Sequence, residues 1–387
     1  MLFWIWYSLF IENAKALSSF FGNLLYNMHK ITMEFYVDCR KEKENGKMKR
    51  WKKTLGIAVS VAGVLIVGTT FFSVAGTDGG DVVEIRLAHN QAAGSEIAGS
   101  IAKISEFAAE DPSQNLKVSI YASGVLGTEK EEIEMVQAGV LDMAKVSSNT
   151  LGQFKDEYSI FAVPYLFQSQ EHYYEACENS EKVKELFNST AKDGYIAIGY
   201  YANGSRNFYL KEDIPCTDPS VLKGKKIRSM PSSTSMDMIE LMGGSPVPMA
   251  GGETYSALQQ GIVDGAENTE LVLTVDGHED LVKAYTYTEH QYSPDIYIIS
   301  TKTWNRLTDG QKNQLVTAIQ KANDNFKSLY NGMMAEAIEE AKEHGVSIYY
   351  DIDKTAFIQA VQPVHEAYCA KGESYRALYE DIQKYAQ

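Results

Sequence analysis

Two arginines are the residues of this 387-residue chain whose type and surroundings best suit a chemical task, the capture of a carboxylate. Arg206 lies in the segment NGSRNF and Arg228 in KGKKIRSMP, and both positions are predicted strand ends. A guanidinium group carries its N–H donors in a planar fork that matches a carboxylate. The pattern alone leaves a second interpretation open, in which each arginine pairs with a surface Asp or Glu side chain.

Motifs for catalysis are missing from the sequence. It contains no GxSxG, GxGxxG, HExxH, phosphate-binding or EF-hand motif. The seven histidines stand singly, and a lone histidine such as His278 or His365 is more often a surface or core residue than a catalytic base. We therefore predict that the chain is not an enzyme and needs no cofactor or metal ion.

The composition is that of a globular protein, with 44% hydrophobic residues and a net charge of −15 at pH 7. An acidic chain lacks the basic surface that nucleic acids require, so we expect no nucleic-acid partner. The chain is longer than a domain with a single hydrophobic core usually is, and its length suits two domains.

The N-terminal part predicts export. A basic cluster, KMKRWKK, precedes the apolar run Leu55–Ala75, which ends in the small-residue pattern Ser-Val-Ala, so residues 48–75 are predicted to be a signal peptide cleaved after Ala75. The run is also long enough to remain as an uncleaved membrane anchor. Residues 1–47 are interpreted as a mis-assigned start, with translation beginning at Met48, and 76–82 as a linker.

The exported part is strongly acidic and poor in cysteine. Ten basic and five acidic residues lie in positions 1–75, so the remainder carries a charge of −20. We expect it to lie in the periplasm or at the outer face of the cytoplasmic membrane. Cys177, Cys216 and Cys369 remain after cleavage, which permits one disulfide at most.

Alternating apolar and polar residues predict a β-α-β-α-β unit at the start of the exported part. Its strands are VVEIRLAHN, LKVSIYAS and LDMAKVS, and its helices follow Ser95 and Thr128, which are predicted N-caps. Further strands are predicted around GYIAIGYYANGSRNFYL, KGKKIRS and GSPVPM. From Thr308 onward, apolar residues at helical spacing predict a long helix that ends at Gly345 and bridges two domains.

The segment from Lys223 to Asn268 resembles the central signature of the DctP family, the extracytoplasmic solute receptors of TRAP transporters. The pieces KGKKIRSMP, GSPVPM, ETYSALQ and VDGAEN follow one another in the order and spacing of that family. The flanking segments LAHNQAAGSE, YASGVLGTEKEEIEMVQAGVLDMAKVS and FAVPYLF are similar to it as well. The resemblance covers roughly Val83 to Gln387.

This resemblance implies an α/β fold of the periplasmic-binding-protein kind, a type II-like clamshell of two lobes with hinge strands and a long lobe-bridging helix. Lobe I would contain 83–203 plus about 294–330, and lobe II 204–293 plus about 331–387. The clamshell would close around a small organic acid and deliver it to the membrane subunits of a TRAP transporter.

The resemblance also implies roles for single residues. Arg228 corresponds to the arginine that forms a bidentate salt bridge with the ligand carboxylate, Arg206 to a second arginine that helps to hold the ligand, and Asn268 to an asparagine that hydrogen-bonds the carboxylate. The first-lobe positions that contact the rest of the ligand are Asn90, Glu129 and Ser147.

Two departures from the family pattern leave the ligand class open. Gly251 stands where relatives often have Phe, and two residues rather than one separate Arg228 from Pro231. A C4-dicarboxylate, a sugar acid and a bulkier acid remain alternatives. A neutral ligand, bound for another uptake or sensing system, is a second hypothesis, and an exported enzyme on the same scaffold is a third.

Overall fold

The computed structural model describes residues 82–386, which form eleven strands and thirteen α-helices. The predicted segments 1–47 and 48–75, and all but the last residue of the predicted linker 76–82, lie outside this part. None of the helices in residues 82–386 has the length and apolar character needed to cross a membrane. The strands are β1 (Val83–His89), β2 (Leu116–Tyr121), β3 (Met143–Ser147), β4 (Tyr195–Tyr201), β5 (Ser205–Leu210), β6 (Lys226–Ser229), β7 (Ser245–Pro248), β8 (Gly265–Asn268), β9 (Ala284–Tyr292), β10 (Asp295–Ser300) and β11 (Ser347–Tyr349).

The helices connect these strands on both sides of the sheets. Short 3-10 turns also occur, among them Gly251–Glu253 and His278–Asp280. The α-helices are α1 (Glu96–Ala108), α2 (Glu129–Ala138), α3 (Ser148–Leu151), α4 (Gln170–Asn179), α5 (Glu181–Asn188), α6 (Ser233–Leu241), α7 (Thr254–Gln260), α8 (Glu270–Val275), α9 (Thr301–Arg306), α10 (Asp309–Glu343), α11 (Thr355–Ala360), α12 (Gln362–Ala370) and α13 (Glu373–Gln383).

The first sheet has the order β2-β1-β3-β10-β4 and forms the centre of lobe I. β1 pairs in parallel with β2 and β3, whereas β10 pairs antiparallel with β3 and β4. The predicted β-α-β-α-β unit is confirmed. Ser95 caps α1 through a hydrogen bond from the Ala98 N–H, and Thr128 and Glu131 form a reciprocal capping box at the start of α2.

The second sheet has the order β11-β9-β5-β8-β6-β7 and forms the centre of lobe II. β5 pairs antiparallel with β8 and β9, and β6 pairs in parallel with β7 and β8. Two short strand connections cross between the sheets, from β4 to β5 and from β9 to β10, and α10 carries the chain across again, from β10 to β11. The two strand connections contain only two or three residues each, so they keep the two sheets adjacent and form the hinge strands.

Helix α10 is the predicted long helix, capped by Thr308 and ended by Gly345, whose φ of +81° suits glycine. Its first half packs Leu315 and Phe326 into the core beneath the first sheet. Near its end Ala341 belongs to the core of the second sheet. The helix therefore contacts both lobes, and the two-lobed clamshell expected from the resemblance is confirmed.

The C-terminal helices pack differently from the lobe assignment inferred from sequence, which places all of 331–387 in lobe II. Phe357 packs in a core of lobe II, but Tyr368, Leu378 and Ile382 pack in a core of lobe I. The chain thus crosses back within α12, whose Val364 packs in the core of lobe II and whose Tyr368 packs in the core of lobe I, and the apolar face of α13 is buried against lobe I. The three cysteines of this part are free thiols.

Candidate ligand-binding site

Arg228 is a buried cation on β6 in lobe II. The strand forms from the alternating segment KIRS, in which Ile227 is fully buried in the apolar core and Arg228 lies opposite Val247 of β7. The Arg228 residue is only 3% exposed. Its Nη2 donates a hydrogen bond to the carbonyl oxygen of Met249 at 2.9 Å, whereas its Nε is buried without a hydrogen-bond partner among residues 82–386.

No salt bridge within residues 82–386 involves Arg228. Burial lowers the pKa of Arg228 from its usual value, and the negative charge of Glu267 opposes that change. A buried charge is costly unless it is paired and hydrogen-bonded. The free donors of this guanidinium therefore suit an anionic ligand.

Arg206, on β5, is already paired with neighbouring protein groups. Its Nε lies 2.5 Å from Oε2 of Glu267 and its Nη2 lies 3.0 Å from Oε1, which makes the salt bridge bidentate. Its Nη1 donates to Oδ1 of Asn268 at 2.8 Å. The antiparallel register sets Phe208 opposite Glu267 and so brings these three side chains together.

The contact between Arg206 and Asn268 fixes the amide of Asn268. Oδ1 accepts hydrogen bonds from Arg206 and from the Thr269 N–H, and Nδ2 makes none to the part of the chain that the structure describes. The amide N–H groups are therefore available as donors. Arg206 positions Asn268. A direct contact between Arg206 and a ligand stays a prediction.

The Arg206–Glu267 pair is ionised at neutral pH. Burial alone would raise the pKa of Glu267, but the Arg206 guanidinium and His290 hold it at about 2. His290 Nε2 lies 3.6 Å from Oε2 of Glu267, and burial lowers the pKa of His290, so this imidazole is neutral. The pair contributes no net charge, whereas the charge of Arg228 is not balanced by a salt bridge with any residue from 82 to 386.

The first-lobe residues Asn90, Glu129 and Ser147 form one hydrogen-bonded group. Oε1 of Glu129 accepts from Nδ2 of Asn90 at 3.1 Å and from the Ser147 N–H at 3.2 Å. Its Oε2 accepts from the hydroxyl of Thr150 at 2.7 Å. Burial raises the pKa of Glu129, and the charge of Asp295 acts in the same direction. The three predicted positions therefore lie together and present carboxylate, amide and hydroxyl groups.

Contacts between the lobes bring this group next to the strand of Arg228. The Ser147 hydroxyl donates to Sδ of Met230 at 3.6 Å, and Nε2 of Gln153 donates to the carbonyl oxygen of Pro231 at 2.7 Å. The charge of Glu129 also acts on the pKa of Arg228. The six predicted residues thus form two groups, one in each lobe, at the contact between the lobes.

The two departures from the family pattern lie beside Arg228. Among the described residues, a Cβ atom added to Gly251 would meet only Nη2 of Arg228, at 4.0 Å, so no side chain of residues 82–386 fills that space. Of the two residues between Arg228 and Pro231, Met230 is buried and contacts Ser147. Both features change the wall of the site and leave its arginine in place.

Sequence reasoning missed a buried ion pair in lobe I. Lys145, on β3, is fully buried, forms a salt bridge with Asp295 of β10 and lies 5.1 Å from the ring centroid of Tyr201. A lysine inside an otherwise apolar strand could have signalled the pair, because a buried ammonium group requires a counterion. The partner, however, is 150 residues away in sequence.

Comparisons with known proteins agree with this architecture. The family model described as "Bacterial extracellular solute-binding protein, family 7" (DctP) matches residues 87–371. The chain is 38% identical over 270 residues to the uncharacterized protein YiiZ of Salmonella typhimurium, which covers 70% of this chain and 82% of that protein.

Two solved structures resemble the chain over 78% of its length. One is a TRAP periplasmic solute-binding protein from Anaerococcus prevotii with bound D-glucuronate, at 33% identity and a TM-score of 0.74, of which 98% is covered. The other is from a Sulfitobacter species with bound β-D-galacturonate, at 28% identity and a TM-score of 0.73, and is covered completely, at 100%.

Proposed function

Because this chain belongs to the bacterial extracellular solute-binding proteins of family 7, we propose that it is the receptor of a TRAP transporter that captures a sugar acid through Arg228. The observation that carries this proposal is the buried guanidinium of Arg228, which has unused donors and no salt bridge among residues 82–386. A ligand carboxylate would accept two hydrogen bonds from it and neutralise its charge.

Asn268 would complete the carboxylate site. Its amide is held by Arg206 through Oδ1, which leaves Nδ2 as a donor for the same anion. Arg206 is thereby assigned a positioning role, and its own charge is balanced by Glu267. In this proposal Arg206 acts mainly by holding Asn268, and the predicted direct contact of Arg206 with the ligand is not required.

The first-lobe group favours a sugar acid over a C4-dicarboxylate. A second carboxylate would need a second free cation, but Lys145 is paired with Asp295 and Glu129 presents acceptor oxygens. Carboxylate and amide groups of this kind accept from and donate to sugar hydroxyls. The ligands bound by the two similar structures, D-glucuronate and β-D-galacturonate, support the same class.

Capture would proceed by closure of the two lobes, since the ligand contacts residues from both. The paired crossing strands supply a hinge, and a ligand that binds the closed form more tightly shifts the population toward it. The receptor would act outside the cytoplasmic membrane, exported by the segment 48–75, and would deliver the acid to the membrane subunits of the transporter. Residues Asn90, Glu129 and Ser147 would contact the sugar.

Thermal unfolding of the purified full chain with a panel of ligands tests this proposal. D-glucuronate and D-galacturonate at about 100 times their dissociation constants should raise the free energy of unfolding by about 2.7 kcal/mol, which moves the Tm by several degrees. Succinate should give a smaller increase, and D-glucose, which has no carboxylate, should give none. An increase with D-glucose as large as that with D-glucuronate would contradict carboxylate capture and favour a neutral ligand.

A further inference from the structure

Glu279, Glu340 and His344 form a cluster of metal-ligand side chains in lobe II, separate from the residues assigned to the ligand above. Glu340 and His344 are one turn apart at the end of α10, and Glu279 lies in the 3-10 turn His278–Asp280. One donor atom from each side chain lies within 4.8 Å of the other two. Side chains four residues apart on a helix face the same side, so this pair suits a shared ion.

Glu279 is the buried member of the cluster. It is only 5% exposed, and its Oε2 is buried without a hydrogen-bond partner in the described part of the chain. A carboxylate in this position is costly without a partner, and a cation bound between it and Glu340 would offset that cost.

Asp280 prepares His344 for metal binding. Nδ1 of His344 donates a hydrogen bond to Oδ1 of Asp280 at 2.7 Å. The proton on Nδ1 leaves the lone pair of Nε2 free, and a carboxylate behind a histidine is the usual support of a metal-bound imidazole. The cluster thus contains three ligands and the group that orients one of them.

We propose that this cluster binds one Zn²⁺ ion, with Nε2 of His344 and carboxylate oxygens of Glu279 and Glu340 as ligands and water as the fourth. Zinc accepts imidazole together with carboxylates, whereas Ca²⁺ and Mg²⁺ prefer oxygen ligands alone. A tetrahedral zinc ion requires its donors at about 3.3 Å from one another. Glu340 and His344 are exposed, so rotation of their side chains can close the remaining distance.

A zinc ion here would connect the end of α10 to the turn that contains His278. Nδ1 of His278 lies 2.9 Å from the hydroxyl oxygen of Tyr209 on β5, so the turn is packed directly against the second sheet. The ion would therefore stabilise lobe II and relieve repulsion among the carboxylates. Sequence motifs do not reveal a site of this kind, because its ligands come from segments that are distant in sequence.

Isothermal titration of the metal-stripped full chain, purified without a polyhistidine tag, with ZnCl₂ tests the site. We expect about one zinc ion per chain, and His344→Ala and Glu340→Gln should each weaken the binding at least about tenfold. Glu339→Gln is the matched control, because it makes the same charge change on the same helix while Glu339 pairs with Lys342.

The expected result includes an increase in Tm with zinc that is absent in His344→Ala. Three results would overturn the proposal: no zinc binding, zinc binding unchanged in His344→Ala, or tighter binding of CaCl₂ or MgCl₂ than of ZnCl₂ to the unmodified chain. Both variants change exposed side chains, so loss of zinc binding through misfolding is checked by their Tm without metal. Binding of D-glucuronate should be retained in both, which separates this test from that of Arg228.

Discussion

Replacing Arg228 with methionine should remove most of the affinity for D-glucuronate and leave the ligand-free fold intact. Within residues 82–386 Arg228 makes one side-chain hydrogen bond, to the carbonyl oxygen of Met249, and no salt bridge. Its loss should therefore change the free energy of unfolding by about 1 kcal/mol or less. In the complex the same side chain would neutralise a buried carboxylate.

The expected loss of affinity follows because Arg228 would form a buried charge pair only when the ligand carboxylate is bound. Truncating one partner of a buried, hydrogen-bonded charge pair costs about 2–5 kcal/mol, which is roughly a 30-fold to several thousand-fold weaker Kd. Arg228→Lys should recover part of the affinity, because it restores the charge but not the bidentate geometry. Arg228→Met should also lose most of the preference for D-glucuronate over D-glucose.

Isothermal titration calorimetry with D-glucuronate measures this effect, and urea unfolding without ligand checks the fold. Lys226→Met is the matched control, because Lys226 is a cation on the same strand with an exposed side chain, and its Kd should stay within about twofold of the original. If Arg228→Met bound D-glucuronate within about threefold of the unmodified chain, the assignment of the carboxylate to Arg228 would be refuted.

Two further predictions concern the stability of the described part of the chain. Gly204→Ala should destabilise it by about 1–3 kcal/mol or more in urea unfolding, because the new Cβ would lie 1.5 Å from the hydroxyl oxygen of Tyr330 on α10. Gly332→Ala is the control on α10: its new Cβ meets open space, and the substitution should stabilise the chain by up to about 1 kcal/mol. Equal effects of the two substitutions would contradict this packing. Burial raises the pKa of Glu132 from 4.5 to about 8, and since the folded state then holds its proton more tightly than the unfolded state, the free energy of unfolding should fall as pH rises from about 4.5 to 8. Burial also raises the pKa of Glu270 to about 7 and that of Asp276 to about 6, so Glu132→Gln should make the decrease smaller, and the exposed Glu134→Gln should leave it unchanged; a decrease of the same size in Glu132→Gln would show that this carboxyl group does not contribute to it.

The elements of lobe I were predictable because their signals are local. Alternation of apolar and polar residues marks the segments that form strands, and Ser95 and Thr128 mark their helices by capping, an interaction that spans only three residues. The long helix after Thr308 was predictable for the same reason, since its apolar stripe persists as far as Gly345.

The partners of buried charges were not predictable in this way. Arg206 meets Glu267 only because β5 and β8 are antiparallel neighbours, and the two residues are separated by 61 positions. Lys145 and Asp295 are farther apart still. Local sequence could show that these charges need partners, but the register of the sheets decides which partners they receive.

The return of the C-terminal helices to lobe I has a similar cause. Their amphipathic pattern shows that one face must be buried, and it does not show against which lobe. Tyr368 and Ile382 find their contacts in a core built mainly from residues before position 203. The resemblance supplied the two-lobed architecture, and the packing of this segment had to come from the structure.

A crystal structure of the chain with D-glucuronate would show whether Arg228 binds the ligand carboxylate. Both carboxylate oxygens should lie about 2.7–2.9 Å from guanidinium nitrogens of Arg228, as in charge-assisted bidentate pairs, with Nδ2 of Asn268 donating to the same group. The sugar hydroxyls should contact Asn90, Glu129 or Ser147. A carboxylate bound elsewhere, with the guanidinium of Arg228 more than about 4 Å away from it, would contradict the assignment of Arg228 as the carboxylate-binding residue.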